Sequence, residues 1–212
     1  MPMLLNIQSS PNMVSSASRA VSKAFVDKFV ALNSGTEVVD LDLVQDVPSH
    51  FGPSHLRAFF TPAEEHAPEN IASLEASDAY IDQLIAADVL VLGTPMHNFG
   101  ISSTMKSWVD NILRAGRTFQ YTETGPVGLL SEKKVIIVVG SGGIYTDGPM
   151  SACEHCGNYL RDILKVIGLS DITILRAEGL ALGPELAEKG LSDGIAAAKT
   201  QAQGSRVTAD VN

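Results

Sequence analysis

Short runs of consecutive apolar residues alternate along this chain with longer stretches in which apolar positions recur every three or four residues. Met3–Gln8 (MLLNIQ), 37–41 (EVVDL), 88–93 (DVLVLG), Lys134–Gly140 (KVIIVVG) and Asp171–Ala177 (DITILRA) read as strands. The third and fourth are almost continuously apolar, the pattern of central parallel strands covered on both faces. Helical spacing predicts helices over 18–32, 73–87, 102–115, 151–167 and Pro184–Gln203. In the first of these, Val21, Ala24, Phe25, Phe29 and Leu32 share one face. A regular β-α alternation with right-handed crossovers predicts an α/β fold. It is a doubly wound, five-stranded parallel sheet with helices on both faces.

Two stretches interrupt that rhythm. Residues 44–72 hold Pro48, Pro53, Pro62 and Pro68, and are expected to form a long irregular insertion with at most a short helix. It is read equally as a lid or partner surface and as a variable surface loop. Residues 119–130 carry a polar turn at 122–125 and read as a small hairpin arm. Residues 204–212 read as a flexible tail, and the whole chain, 1–212, as one domain.

Composition narrows the function. Apolar residues make up 45% of the chain and charged residues 18%, as in a globular protein. The net charge of −9 would repel a polyanion, so nucleic acid is not expected as a partner. A small phosphate is still admissible, because backbone N–H groups and hydroxyls at a helix N-terminus hold one without net positive charge. No signal-peptide pattern and no membrane-spanning run is read, so a cytoplasmic location is expected. Two cysteines make no disulfide framework.

A parallel sheet of this kind binds ligands beyond the carboxyl ends of its strands, where the strand order reverses. Three loops lie there. The first, Ser9 to Arg19, is rich in hydroxyls and leads into a helix. It has neither the glycines of a dinucleotide fingerprint nor a Walker lysine, so it reads as a neutral phosphate cup or as a simple cap by Ser16 or Ser18. Arg19 reads as a solvated helix residue or as one charge for the phosphate. The second loop, Thr94-Pro95-Met96-His97-Asn98-Phe99-Gly100-Ile101, can lie along the edge of a planar ring; singly, His97 also reads as an exposed loop residue and Phe99 as a core anchor. The third, Gly140-Ser141-Gly142-Gly143-Ile144-Tyr145, permits close backbone approach or is a plain turn.

With these residues in view, the chain resembles the FMN-dependent NADH-azoreductases, flavodoxin-like relatives of the NAD(P)H quinone oxidoreductases. The resemblance is carried by Ser10 with Ser16-Ala17-Ser18, by PMHNFGISSTMKSWVD, RAGRTFQYTETGPVGLL, SGGIY and AEGLALGPE, and it covers nearly the whole chain. It implies a flavodoxin-like fold, bound FMN, NADH or NADPH as co-substrate, and reduction of quinones or aromatic azo compounds by ping-pong hydride transfer. It also implies a homodimer with a site at each subunit interface. Ser10, Ser16, Ala17 and Ser18 would hold the phosphate and ribityl chain. Pro95, Met96, His97, Asn98, Phe99, Gly140, Ser141, Gly142 and Gly143 would frame the ring system. Two departures stand beside the expected flavin: His97, where the family commonly has tyrosine, and Ser141, where some members carry arginine.

No side chain accepts a hydride, so redox chemistry here needs a cofactor. His97 and Tyr145 are the proton donors available beside it. Arg57, Arg114 and Arg117 are candidates for a nicotinamide 2′-phosphate. Cys153-Glu154-His155-Cys156 has the spacing of a redox dithiol or half a zinc site. With no second pair, no metal site is expected and the cysteines read as incidental. A thiol at a helix start would be acidified. Asp78 and Asp82 read as a solvated helix face. Two other readings of the same sheet are an electron carrier without its own substrate and a flavin-free interaction domain.

Overall fold

The protein is described by a computed structural model over residues 1–130 and 133–205. Strands β1 (Met3–Gln8), β2 (Glu37–Asp42), β3 (Val89–Pro95), β6 (Lys134–Gly140) and β7 (Asp171–Ala177) form one sheet in the order β2-β1-β3-β6-β7. Every neighbouring pair in it is parallel. Helices α1 (Ala17–Leu32), α2 (Pro53–Phe60), α3 (Pro68–Ala86), α4 (Ser103–Ile112), α5 (Gly157–Val166) and α6 (Pro184–Gln203) alternate with the strands, and β4 (Phe119–Thr122) with β5 (Gly125–Gly128) makes the antiparallel arm.

The two-residue period of each strand sorts its side chains into two cores. On one face Leu4, Val89, Val91, Ile136 and Val138 pack under α1 and α6, against Val21, Phe25, Phe29, Ala198 and Ala202. On the other, Leu5, Ile7, Leu90, Leu92, Val135 and Ile137 meet α3, α4 and α5 through Ile81, Leu84, Met105, Trp108, Ile112, Leu160 and Leu164. Each such side chain contributes about 1.5–3 kcal/mol by leaving water. The apolar stripe of α4 is therefore spent inside the subunit, including Trp108, which is fully buried.

Three boundaries differ from the sequence expectation by three residues or more. Pro53 and Pro68 do not break structure but open α2 and α3, at the first helical position, where the missing N–H would have no partner anyway. The cap N–H groups are met by side chains three residues on: Gly52 donates to His55 Nδ1 and Ala67 to Asn70 Oδ1. The insertion is thus half helical, and α3 begins five residues earlier than the spacing predicted. The fifth helix is split: residues 151–153 form a 3₁₀ turn, and α5 starts only at Gly157, where buried Glu154 accepts from the N–H of Gly157 and Asn158. Finally, α4 ends at Ile112 rather than 115. Of the expected tail, Gly204 and Ser205 close α6, with Ser205 Oγ donating to Gln201 O at 2.7 Å; 206–212 lie outside the described residues.

The chain leaving the arm crosses the corner between α5 and β7. Leu130 N donates to Ile167 O at 2.9 Å, and a Cβ built on Gly168 would stand 1.9 Å from Leu130 O. Gly168 also has φ +100°. Gly168→Ala therefore combines left-handed strain with a backbone clash. Its expected effect is a loss of about 2–4 kcal/mol of stability, read as a lowered midpoint in chemical or thermal unfolding. An unchanged midpoint would show that the arm yields without cost.

Candidate functional site

Strand order reverses between β1 and β3, so the loops after β1, β3 and β6 meet at the carboxyl edge of the sheet. They enclose a cleft of about 340 Å³ lined by Ser10, Pro11, Asn12, Ser15, Ser16, Ala17, Ser18, Pro95, Met96, His97, Gly140, Ser141, Gly142 and Leu180. Small residues under α1 make this possible. A Cβ on Gly140 would lie 3.3 Å from Ser18 N, and one on Gly93 would fall within 2.7 Å of the Gln8 amide and Ser22 Oγ. The first turn of α1 can therefore settle close over the ends of β3 and β6.

In the first loop Asn12 Oδ1 accepts from Val14 N and Ser15 N, which folds the loop back on itself. Ser16 caps α1 by accepting from Arg19 N, and its hydroxyl lies 3.1 Å from that of Ser18. The N–H groups of Ala17 and Ser18 find no acceptor among the described residues. The cap reading and the cup reading of Ser16 thus hold together: capping one N–H leaves two others free.

Arg19 fits neither expectation. It is neither solvated nor turned into the cleft. Its Nε and Nη2 donate to Ser10 O at 3.2 and 2.8 Å, and Nη1 and Nη2 to the Asp42 carboxylate at 2.8 and 2.9 Å. Burial pushes the Asp42 carboxyl up, but its bond from Arg19, the Val44 N–H and the Arg19 charge outweigh this and leave it below the usual carboxylate range.

The second loop closes as a tight two-residue turn. His97 N donates to Gly100 O at 2.9 Å and Gly100 N to His97 O at 3.0 Å, with Asn98 at φ 49° and Phe99 at φ 68°. A bulky residue in the left-handed region is strained by about 1–3 kcal/mol. Phe99 is not a core anchor: it is 42% exposed, and its ring meets Tyr145 edge-on at 6.0 Å. The N–H of His155 holds the turn from below by donating to Phe99 O, while the His155 residue itself is exposed. His97 lines the cleft and is exposed.

The third loop is backed by a segment to which no site role was given. Leu180 N donates to Ser141 O, Ala181 N to Gly142 O and Gly179 N to Gly143 O, and Glu178 accepts from Tyr145 N and Thr146 Oγ1. Asn98, Phe99 and Gly143 stand outside the lining of the cleft, whereas Pro11, Asn12, Ser15 and Leu180 join it. Among these only Leu180 lies far away in sequence, inside the motif AEGLALGPE.

Other features fall elsewhere. Arg114 is bound to Asp78 at 2.8 Å and lies over the Phe59 ring; Arg117 pairs with Asp78 and Asp82. Asp78 and Asp82 are therefore ion-pair partners, not a purely solvated face, and two of the three candidate arginines are spent. Arg57 stands exposed on α2. Among the described residues no three His, Cys, Asp or Glu side chains converge as a metal site, and no helix is long and apolar enough to cross a membrane. A separate aromatic hollow of about 320 Å³ lies between α2, the end of α4 and the arm, lined by Phe51, Phe59, Phe60, Asp110, Leu113, Ala115, Phe119 and Tyr121.

Comparison with known proteins gives a consistent picture. The family model for the flavodoxin-like fold matches residues 3–202. An FMN-dependent NADH:quinone oxidoreductase of Herminiimonas arsenicoxydans is 45% identical over 192 residues, covering 91% of this chain and 94% of the relative. One from Rhizobium johnstonii is 39% identical over 203 residues, covering 96% and 97%. Among solved structures, an FMN-dependent NADH-azoreductase from Bacillus anthracis in complex with FMN superposes with a TM-score of 0.84 at 30% identity, covering 95% of this chain and all of that one.

The cysteine pair is not an activated dithiol. Both thiols are free, and Cys156 is buried with Sγ 3.9 Å from Pro95 O. Burial, then the charge of Glu154, push its pKa up to about 12, against the pull of Arg176. A thiol this basic is almost wholly protonated at neutral pH. Native protein treated with iodoacetamide should be alkylated at Cys153 alone, with Cys156 modified only after denaturation. Rapid native labelling of Cys156, read by peptide mass spectrometry, would contradict the burial.

Proposed function

We propose that this chain, which belongs to the flavodoxin-like-fold family and is 45% identical to an FMN-dependent NADH:quinone oxidoreductase, acts as an FMN-dependent oxidoreductase of that kind. We propose that its site is the cleft after β1, β3 and β6, and that residues 1–212 act as one FMN-binding domain. The observation that carries this reading is the pair of free N–H groups, Ala17 and Ser18, at the mouth of a cup that no Cβ fills. Free donors at a helix N-terminus, flanked by Ser10, Ser16 and Ser18 hydroxyls, suit a phosphate monoester. Met96, His97 and the Gly140–Gly142 backbone then border the ring system, with Asn98, Phe99 and Gly143 held just outside by the tight turn and the Leu180 segment.

When bound, FMN would supply the two-electron redox chemistry that the side chains lack, for a ping-pong exchange between NADH and a quinone or azo acceptor. The protein's own contribution is positioning. The edge-on contact of Phe99 with Tyr145 braces the tight turn just outside the cleft. The Gly142 N–H, in the lining of the cleft, would be available as a donor to the ring system. His97, exposed at the cleft, delivers a proton to the acceptor and is replenished from solvent; Tyr145 is the second candidate. With Arg114 and Arg117 held by Asp78 and Asp82, only Arg57 of the three candidates is left for a 2′-phosphate.

The active species is a homodimer. Phe60 and Tyr121, in the lining of the aromatic hollow, are 77% and 72% exposed. None of the hollow's residues lines the chain's own cleft, so the insertion and the arm are free to wall the cleft of a second copy. A cytoplasmic location goes with the proposed use of NADH as reductant.

The decisive test is spectroscopic. Purified protein mixed with FMN should show a bound flavin that bleaches with NADH under anaerobic conditions and recovers when a benzoquinone is added. A bound flavin that NADH leaves oxidised would mean an electron carrier, and no binding would remove the cofactor reading. His97→Phe should lower acceptor turnover by about 10²-fold if it is the donor, with flavin reduction by NADH little changed. Unchanged steady-state rates would exclude His97 from that role.

A further inference from the structure

We propose that Arg19 and Asp42 form a positioning clamp that makes the cleft selective for the phosphorylated flavin over the same flavin without its phosphate. This rests on the reading of the cleft as an FMN site.

Arg19 sits in the first turn of α1 and Asp42 at the end of β2, the strand beside β1 on the side away from β3. The guanidinium spans the gap between them. On the way it takes the Ser10 carbonyl with two N–H groups, and its far edge forks onto both Asp42 oxygens. Asp42 is itself fixed by the Val44 N–H at 3.1 Å. Both side chains are only about a fifth exposed, at 19% and 20%. A planar guanidinium held at both edges has little freedom left.

Two consequences follow for an anion in the cup. A carbonyl oxygen carries partial negative charge, and one aimed at a phosphate would repel it. The clamp draws Ser10 O toward the β2 side while Ser10 Oγ, which accepts from Asn12 N, stays with the loop. The guanidinium charge is also matched by the Asp42 carboxylate, so it adds little attraction of its own. The phosphate must then be held by neutral donors, the Ala17 and Ser18 N–H groups and the serine hydroxyls. Such donors act only at hydrogen-bond range and in good alignment, so their value depends on how well the loop is held. The clamp's hydrogen bonds and ion pair go to Ser10 and Asp42 and to neither of the loops after β3 and β6, which border the ring system, so its loss should fall chiefly on the phosphate.

The test compares FMN with riboflavin, titrated into the full chain by quenching of flavin fluorescence, for wild type, Arg19→Met and Asp42→Asn. Wild type should prefer FMN. Failure of the wild type to bind either flavin would sink the site reading itself, before any variant is considered. Both variants should weaken FMN by about 10–100-fold, the worth of hydrogen bonds to a charged group, and riboflavin by less than about 3-fold, so that the preference collapses. Asp42→Asn is the sharper variant. It leaves an unmatched positive charge beside the cup, so charge attraction alone would tighten FMN, whereas the clamp predicts weakening. Tighter FMN binding by Asp42→Asn would overturn the proposal, as would equal weakening of both flavins in a variant with the native circular dichroism spectrum. Should Arg19→Met fail to fold, the near-isosteric Asp42→Asn carries the comparison alone.

Discussion

The close approach of the α1 N-terminus to the carboxyl ends of β3 and β6 is the contact from which the rest of the site is built. It requires that the strands present no side chain there, which Gly93 and Gly140 satisfy. It also requires that α1 be held down along its length, which Val21, Phe25 and Phe29 do by packing on Leu4, Val91 and Val138. With the helix anchored by its apolar stripe, its first turn has nowhere to go but over the sheet edge. The free N–H groups of that turn then point into the cleft that the three loops enclose. Core packing and the proposed anion cup are two ends of one helix, and neither is adjustable without the other.

That arrangement explains how a chain with a net charge of −9 can receive an anionic ligand. The cup offers no uncompensated cation, since Arg19 is already paired. It offers instead dipoles that are fixed before the ligand arrives, at a helix end where their sum is most favourable. A surface lysine would attract an anion at longer range but would also be screened by salt and free to swing. Fixed donors give up range and gain discrimination, which suits a cofactor held through many turnovers.

The strands were legible because buried parallel strands are nearly continuous apolar runs, and KVIIVVG admits few other readings. The three loops were legible because topology alone says where a doubly wound sheet opens. What escaped depended on long-range partners or on ambiguous signs. Pro53 and Pro68 look identical to loop prolines until a helix is seen to begin at them. The role of Arg19 depends on Asp42, 23 residues away, and no local pattern links the two. Phe99 in a left-handed turn has no compositional mark, because glycine and asparagine are the residues that announce such turns. The C-x-x-C spacing pointed toward a reactive thiol, yet the helix starts at Gly157 and Cys156 is sealed behind Pro95, so burial decided its chemistry and spacing did not.

The openness of the cleft is the remaining physical problem. In the loops that carry the cleft Met13, Val14, Phe99 and Ile144 stand exposed, while an aromatic hollow lies elsewhere, between α2 and the arm. A single chain thus holds two incomplete apolar surfaces, each exposing side chains that a buried setting would stabilise. Hydride transfer favours a site from which water is excluded once both partners are stacked. One chain cannot meet that need by folding the arm over its own cleft, because the arm is pinned to the far side at Gly168 and Leu130. The proposed pairing of two copies would meet it by setting the arm and insertion of each against the cleft of the other. The docking of the arm away from its own cleft, through Leu130 and Gly168, is what would leave it available as a wall for a partner copy.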